Sequence, residues 1–326
     1  MVQFSLGAVK TALAANDHPT ARALLLQWLR AFALELSARP GREQLRQPEL
    51  WDGLVEHARA SGDRSLIERY WQLLDRLPAP APAAGGLPAL PLLGVPILNR
   101  ADLLEQLLTS LDHPVEILAI VDNSPPGEGT LAGELEGIRQ RGHPLVQAIQ
   151  IARPFCNLGV AASWNLILSS FPEAPCALLA NNDVRFAPGV LAAALERIDA
   201  GRPQFLPLLP APHAFAAFLL TCRCWDQLGL FDANFHPAYC EDLDYRDRLN
   251  ACAEIDQLDG GFAHAAMSAL NGDHSATIHS DPELKRHNRT SYALNRLWYL
   301  SERRLGRDPR GSWRRLWLSQ WRDDTP

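Results

Sequence analysis

The stretch Ala177-Leu178-Leu179-Ala180-Asn181-Asn182-Asp183-Val184 sets four small or apolar residues directly before three oxygen-bearing side chains. The first four read as a buried strand. The polar cluster then falls just past the strand's C-terminal end, where open α/β sheets bind ligands. Asn181, Asn182 and Asp183 offer the oxygen ligands that Mg²⁺ and Mn²⁺ prefer. A hard cation is commonly held by one carboxylate together with substrate phosphates. The plainer alternative is a polar turn.

Working outward, strand and helix patterns alternate. Leu90–Ile97 is a strand candidate, and a helix from Asp102 to Leu111 carries Leu103, Leu104, Leu107, Leu108 and Leu111. Val115–Val121 is a second strand, ending in Asp122-Asn123-Ser124-Pro125. A helix over 129–141, a strand over 145–151 and a helix over 160–170 follow. The 177 stretch is next, then a helix over 191–198. Repeated βα units of this length predict an α/β fold, a mostly parallel sheet covered by helices on both faces. Residues 204–220 are too irregular to assign.

Several strand ends carry candidate chemistry. Asp122 could accept hydrogen bonds from a nucleotide base or ribose, or could simply close an Asx-turn. Asn157-Leu158-Gly159-Val160 precedes a helix containing Trp164 and Asn165. Gly159 would let backbone approach a ligand, and the helix N-terminus would favour an anion such as diphosphate. The alternative is a helix cap by Asn157. Further on, Tyr239-Cys240-Glu241-Asp242-Leu243-Asp244-Tyr245-Arg246 crowds acids that helix-dipole effects would favour in a first turn. Crowding also raises carboxyl pKa values towards the range of a general base. Asn271-Gly272-Asp273-His274-Ser275-Ala276-Thr277-Ile278-His279 is a candidate ligand loop, in which His274 or His279 could complete a metal shell with Asp183.

Residues 1–77 show helical periodicity alone. The apolar faces are Leu24, Leu25, Trp28, Leu29, Phe32 and Leu36, then Trp51, Leu54, Val55 and Ala58, then Ile67, Tyr70, Trp71, Leu74 and Leu77. Residues 78–90 contain Pro-Ala-Pro-Ala-Pro-Ala-Ala-Gly-Gly, a linker composition. The expected organisation is a helical domain at 1–77, a linker at 78–90, an α/β domain at 91–305 and a tail at 306–326.

The chain has 326 residues, 47% hydrophobic and 21% charged, with a net charge of −6. That composition is globular, and the negative balance argues against nucleic acid as a partner. The six cysteines form no Cys-x-x-Cys pair, so they read as small hydrophobes in a reducing cytoplasm, with no structural metal. No secretory signal and no run long enough to span a bilayer are visible. No Gly-x-x-x-x-Gly-Lys-Ser/Thr loop occurs, which disfavours a P-loop enzyme.

Five ordered segments over residues 90–300 together resemble an inverting glycosyltransferase of the GT-A fold, family 2 type. They are Val95-Pro96-Ile97-Leu98-Asn99-Arg100, Val121-Asp122-Asn123-Ser124, Asn157-Leu158-Gly159-Val160-Ala161 with Asn165, Asn181-Asn182-Asp183-Val184, and Gly229-Leu230-Phe231-Asp232 with Glu241-Asp242-Leu243-Asp244-Tyr245. The resemblance is to bacterial rhamnosyl- and galactosyltransferase-like members of polysaccharide biosynthesis. It implies hexosyl or deoxyhexosyl transfer from a nucleotide-sugar donor to a hydroxyl on a glycan, lipid-linked or peptide acceptor. Pro96, Asn99, Arg100, Asp122, Asn157, Gly159, Asn165, Asn181 and Asn182 would then bind donor. Asp183, with His274 as an extra ligand, would hold Mn²⁺ or Mg²⁺. Asp242, or its neighbour Glu241, would be the general base. The family's metal motif has a further acid where Asn181 and Asn182 stand, which weakens the expected metal affinity.

The tail places Trp313, Leu316, Trp317 and Trp321 on one helical face among Arg310, Arg314, Arg315 and Arg322. That face either packs on the protein or makes peripheral contact with the inner face of a membrane. The N-terminal helices are expected to position the acceptor, a partner protein or a second subunit in a homodimer. The rival reading is a non-catalytic nucleotide- or glycan-binding scaffold on a transferase-like fold.

Overall fold

Leu90–Ile97 forms strand β1, buried at every position. It pairs in parallel with Val115–Asp122 (β2) and with Cys176–Ala180 (β4), while Val146–Ala152 (β3) extends the sheet beside β2. A computed structural model describes residues 5–38, 47–75, 87–125, 130–272 and 282–303. The sheet has seven strands in the order β3-β2-β1-β4-β6-β5-β7, where β5 is Gln204–Pro207, β6 Ala217–Thr221 and β7 Asp256–Gln257. Only β6 runs antiparallel to its neighbours. This is the mostly parallel α/β sheet that the alternating pattern predicts.

Both faces of the sheet are covered, because successive strand residues go to different cores. Leu93, Val95, Ile97, Leu118, Ile120, Leu178 and Ala180 join one core. It is completed by α5 (Ala101–Thr109), α6 (Thr130–Arg141), α8 (Val190–Leu195) and α11 (Gly261–Leu270). Leu92, Ala119, Val121, Ala177 and Leu179 join the other, against α7 (Gly159–Ser170), α9 (Cys222–Leu228) and α10 (Glu241–Ala251). Burial on both faces leaves continuous apolar runs in place of polar–apolar alternation.

β5 and β6 lie in the stretch the sequence left unassigned. Like β4 they are short, four and five residues long and buried at all but Pro207, but no polar cluster such as Asn181-Asn182-Asp183 marks where they end. The helix expected over 191–198 ends earlier, at Leu195.

The chain divides into two compact units, Met1–Ala81 and Pro82–Pro326. The first contains α1 (Leu6–Ala14), α2 (His18–Ala38), α3 (Pro48–Ser61) and α4 (Ser65–Asp75). Its core joins Leu25, Leu29 and Phe32 of α2 to Leu50 and Leu54 of α3 and to Leu66 and Tyr70 of α4. The buried face of α3 is therefore turned one residue from the predicted one, and Trp51 and Val55 are exposed. Trp51 stays at the rim, where its indole N–H donates to the Tyr70 hydroxyl at 2.6 Å. A buried indole would need such a partner inside the core. Trp71, also placed on the apolar face by its spacing, is exposed, and Leu77 lies outside the described residues.

Candidate active site

The C-terminal ends of β1 and β4 open onto a cavity of about 340 Å³. Pro96 reaches it from β1, and Asn181, Asn182 and Asp183 follow directly after β4. Asn157 and Gly159 line it from the start of α7, and Glu241 and Asp242 from the start of α10. Eight of the sequence candidates thus share one space. Phe215, Trp164 and Tyr239 add aromatic surface to the wall.

The strand-end motif is held by short local bonds. Asn181 N–H donates to Ala216 O on the path into β6, and Val184 N–H closes a turn onto Asn181 O. The Asn182 carboxamide N–H donates to Asn99 O at 3.3 Å, tying β4's end to β1's. Asn99 contributes this carbonyl and is not itself part of the cavity wall. Arg100 is turned onto Asp102 through two 2.7 Å bonds in an exposed ion pair.

Asp122 also stands off the cavity. Its carboxylate accepts from Ser124 N at 3.0 Å and Ser124 Oγ at 2.6 Å, and Arg153 Nε lies 3.2 Å away. This is the Asx-turn alternative. The next residue, Asn123, was not singled out by its type, yet it lines the cavity and ties two elements together. Its carboxamide donates to Ser163 Oγ and accepts from Leu158 N–H.

The N-terminus of α7 differs from its predicted use. Leu158 N–H donates to Asn123 Oδ1, Gly159 N–H to Asn157 Oδ1 and Val160 N–H to Pro237 O. The protein itself therefore satisfies donors expected to face an anion. Gly159 has φ +75°, and a Cβ there would stand 2.4 Å from Pro237 O. The close approach it permits is to the chain's own 237 segment. Asn165 uses both ends of its carboxamide on Phe231, donating to its O at 2.8 Å and accepting from its N–H at 2.9 Å. It anchors the Gly229–Phe231 turn.

The acidic segment needs distant help. Tyr239 and Cys240 have φ +81° and +72°, a left-handed pair directly before α10. Each such non-glycine residue costs on the order of 1–3 kcal/mol and persists only when its surroundings over-determine it. His236 Nε2 is 2.9 Å from Asn157 O. Asn295, fully buried on α12 (Pro282–Trp298), donates to Ala238 O at 2.7 Å and His236 O at 3.3 Å. Tyr299 OH donates to Asp247 at 2.5 Å.

The acids of α10 then separate by environment. Asp244 is buried and bonded to Arg248 Nε at 3.0 Å. Asp242 is half-buried, 3.7 Å from Arg246. Glu241 is 6% exposed, and its Oε2 has no hydrogen-bond partner among the described residues. Burial, followed by the charge of Asp242, pushes the Glu241 carboxyl up to about 8. Desolvation thus outweighs the crowding expected from sequence. Cys240 is buried and its thiol is pushed up to about 12, the state of an inert thiol.

His274 and His279 lie outside the described residues, as does the tail from residue 304. Among the described residues, no three His, Cys, Asp or Glu side chains assemble as a metal site. Asp183 with its two Asn neighbours is a one-carboxylate oxygen set. It suits a hard cation whose remaining ligands are phosphate and water. No described helix is long and apolar enough to cross a membrane.

No family model matches the chain, and no curated protein matches it in sequence. Solved structures overlap it in part. S. aureus TarS (residues 1–349) is 18% identical with TM-score 0.39, over 51% of this chain and 57% of that one. The mannosyltransferase PcManGT from Pyrobaculum calidifontis, solved with GDP-Man and Mn²⁺, is 17% identical with TM-score 0.40, over 71% and 66%. GalNAc-T7, solved with UDP, GalNAc and Mn²⁺, is 11% identical with TM-score 0.42, over 53% and 45%. The chain therefore spans between 45% and 66% of the length of these three. The chemistry rests on the cavity's own residues.

Proposed function

We propose that the chain is an inverting glycosyltransferase that moves a hexosyl or deoxyhexosyl group from a nucleotide-sugar donor to a hydroxyl acceptor. One observation carries the reading. A single cavity collects the strand-end carboxylate Asp183 and the Glu241–Asp242 pair, as the sequence resemblance requires. Asp183, beside Asn181 and Asn182, would hold a divalent cation, which supplies charge neutralisation at the departing diphosphate. Asp242 takes the proton from the acceptor hydroxyl. The freed oxygen attacks the anomeric carbon as the bond to the diphosphate oxygen breaks, and the centre inverts. Glu241, whose carboxyl burial pushes up to about 8, stands beside Asp242 as the alternative base. With this activity the chain reads as a helical domain at 1–77, a linker at 78–90, the transferase domain at 91–305 and a basic tail at 306–326.

The scaffold reading has one observation in its favour. Asp122 and the α7 N-terminus, both expected to meet donor, are already bonded within the protein. Ligand-dependent stabilisation separates the cases. UDP, GDP and dTDP are tested with and without Mn²⁺ on the wild type and Asp183→Ala. A site filled to a hundred times its Kd stabilises by about 2.7 kcal/mol. The expected result is stabilisation by one nucleotide class, dependent on Mn²⁺ and lost in Asp183→Ala. Absence of stabilisation by any nucleotide overturns the transferase. Binding without acceptor-dependent release of nucleoside diphosphate supports the scaffold.

A further inference from the structure

α12 buries polar residues where a packed helix ordinarily buries apolar ones. Asn288, Ser291 and Asn295 fall at i, i+3 and i+7, one face of the helix, and are 8%, 0% and 0% exposed. The Asn295 end of this face is bonded to the 236–238 backbone. Tyr292, on the same helix, packs edge-on against Tyr239 with ring centroids 5.8 Å apart. Asn288, two turns before Asn295, lines the cavity, and its carboxamide opens onto that space.

A carboxamide facing a cavity can both donate to and accept from a ligand there. The enclosed group with no partner among the described residues is Glu241 Oε2 in the same cavity, and buried polar atoms are nearly always bonded. We propose that Asn288, with Glu241, is the acceptor-recognition site, and that its ligand is a hydroxylated ring of the pyranoside class. This inference rests on the transferase reading and assigns the acceptor side of that site.

The chemistry fits at three points. A carboxamide carries two donors and an acceptor, and a sugar hydroxyl both donates and accepts. A neutral carboxyl at Glu241 likewise offers one donor with remaining acceptor capacity. Tyr239 and Phe215 add apolar wall beside these few polar groups, the usual composition of a small-molecule site. The assignment to acceptor rather than donor follows from connectivity. Asn288 shares its helix with the clamp on the segment that leads into Asp242, whereas the strand-end motif is held by bonds from β1 and the approach to β6.

The test uses the full chain with UDP, GDP or dTDP and Mn²⁺ present, and a panel of methyl pyranosides as probes. Pyranoside binding is followed by saturation-transfer NMR and nucleotide binding by thermal shift in the same samples. Asn288→Leu keeps the volume and removes the hydrogen bonds. Asn288→Asp keeps one acceptor oxygen, so the result does not hang on one variant. The expected result is that at least one pyranoside binds the wild type and binds Asn288→Leu about tenfold more weakly. The nucleotide shift should be unchanged in both variants. Equal pyranoside binding in wild type and variants overturns the inference. So does a wild type that binds nucleotide but no pyranoside, and so does a loss confined to nucleotide binding. A wild type stabilised by no nucleotide overturns the transferase reading instead, and the inference with it.

Discussion

Asn181–Asp183 and Glu241–Asp242 border one cavity, yet the chain presents them by different means. The first group follows β4, a strand buried at all five positions, and is fixed by bonds to the neighbouring strand-end segments. No positive φ is needed there. The second group follows two left-handed residues, Tyr239 and Cys240, and is steadied by Asn157, Gly159 and Asn295. A strand end is a rigid platform that the hydrophobic pattern alone supplies. A strained loop is a platform only while distant residues hold it. The Asn181–Asp183 motif should therefore tolerate changes elsewhere in the fold, and the Glu241–Asp242 motif should not.

The largest expected effect lies at Asp242. Asp242→Asn keeps the shape and removes the proposed base, so kcat should fall by about 10²–10⁴-fold with nucleotide binding intact. Steady-state kinetics beside a thermal-shift titration checks this. An unchanged kcat would move the proton transfer to another group.

The mounting of the loop comes next. Gly159→Ala forces a side chain into φ +75° and onto Pro237 O, and should cost at least about 2 kcal/mol. Asn295→Ala leaves the Ala238 and His236 carbonyls short of a buried donor, at about 1–3 kcal/mol. Urea denaturation measures both. Activity should drop more than Mn²⁺-nucleotide binding in each. Equal loss of the two would erase the contrast between the cavity's ends.

A further effect is on pH. The Glu241 carboxyl has a folded value of about 8 against an ordinary value of 4.5. The folded state then binds the extra proton between those values, so stability falls as pH rises. The contribution is fully present below about 4.5 and lost as pH passes about 8. Wild-type melting temperature should decline across that window, and Glu241→Gln should flatten the decline. A decline of the same size in Glu241→Gln would assign it to another group.

Much of the architecture was legible because apolar runs, their lengths and their spacing set strands and helices locally. The βα alternation from Leu90 to Ser170, and the strand ending at Ala180, follow from side-chain pattern alone. So does the polar cluster beyond Ala180, since a buried strand has to end before charged groups begin. The buried face of α3 was misread because Trp51 is apolar by area but carries an N–H that keeps it at the rim. β5 and β6 are as short and as buried as β4 but lack the polar cluster that marks its end, so the sequence leaves them unread.

What the sequence determined by itself is the α/β order of elements and which polar clusters stand at strand ends, properties of neighbours along the chain. Only the tertiary structure decided that the α7 donors and Asp122 are satisfied internally. It also decided that Asn165 grips Phe231, that Glu241 is enclosed without a partner among the described residues for its Oε2 while the equally buried Asp244 is paired with Arg248, and that a helix near the end of the described chain supplies Asn288 and Asn295. Those outcomes depend on contacts between residues far apart in sequence and on the removal of water from a closed space. Residue type and spacing encode neither.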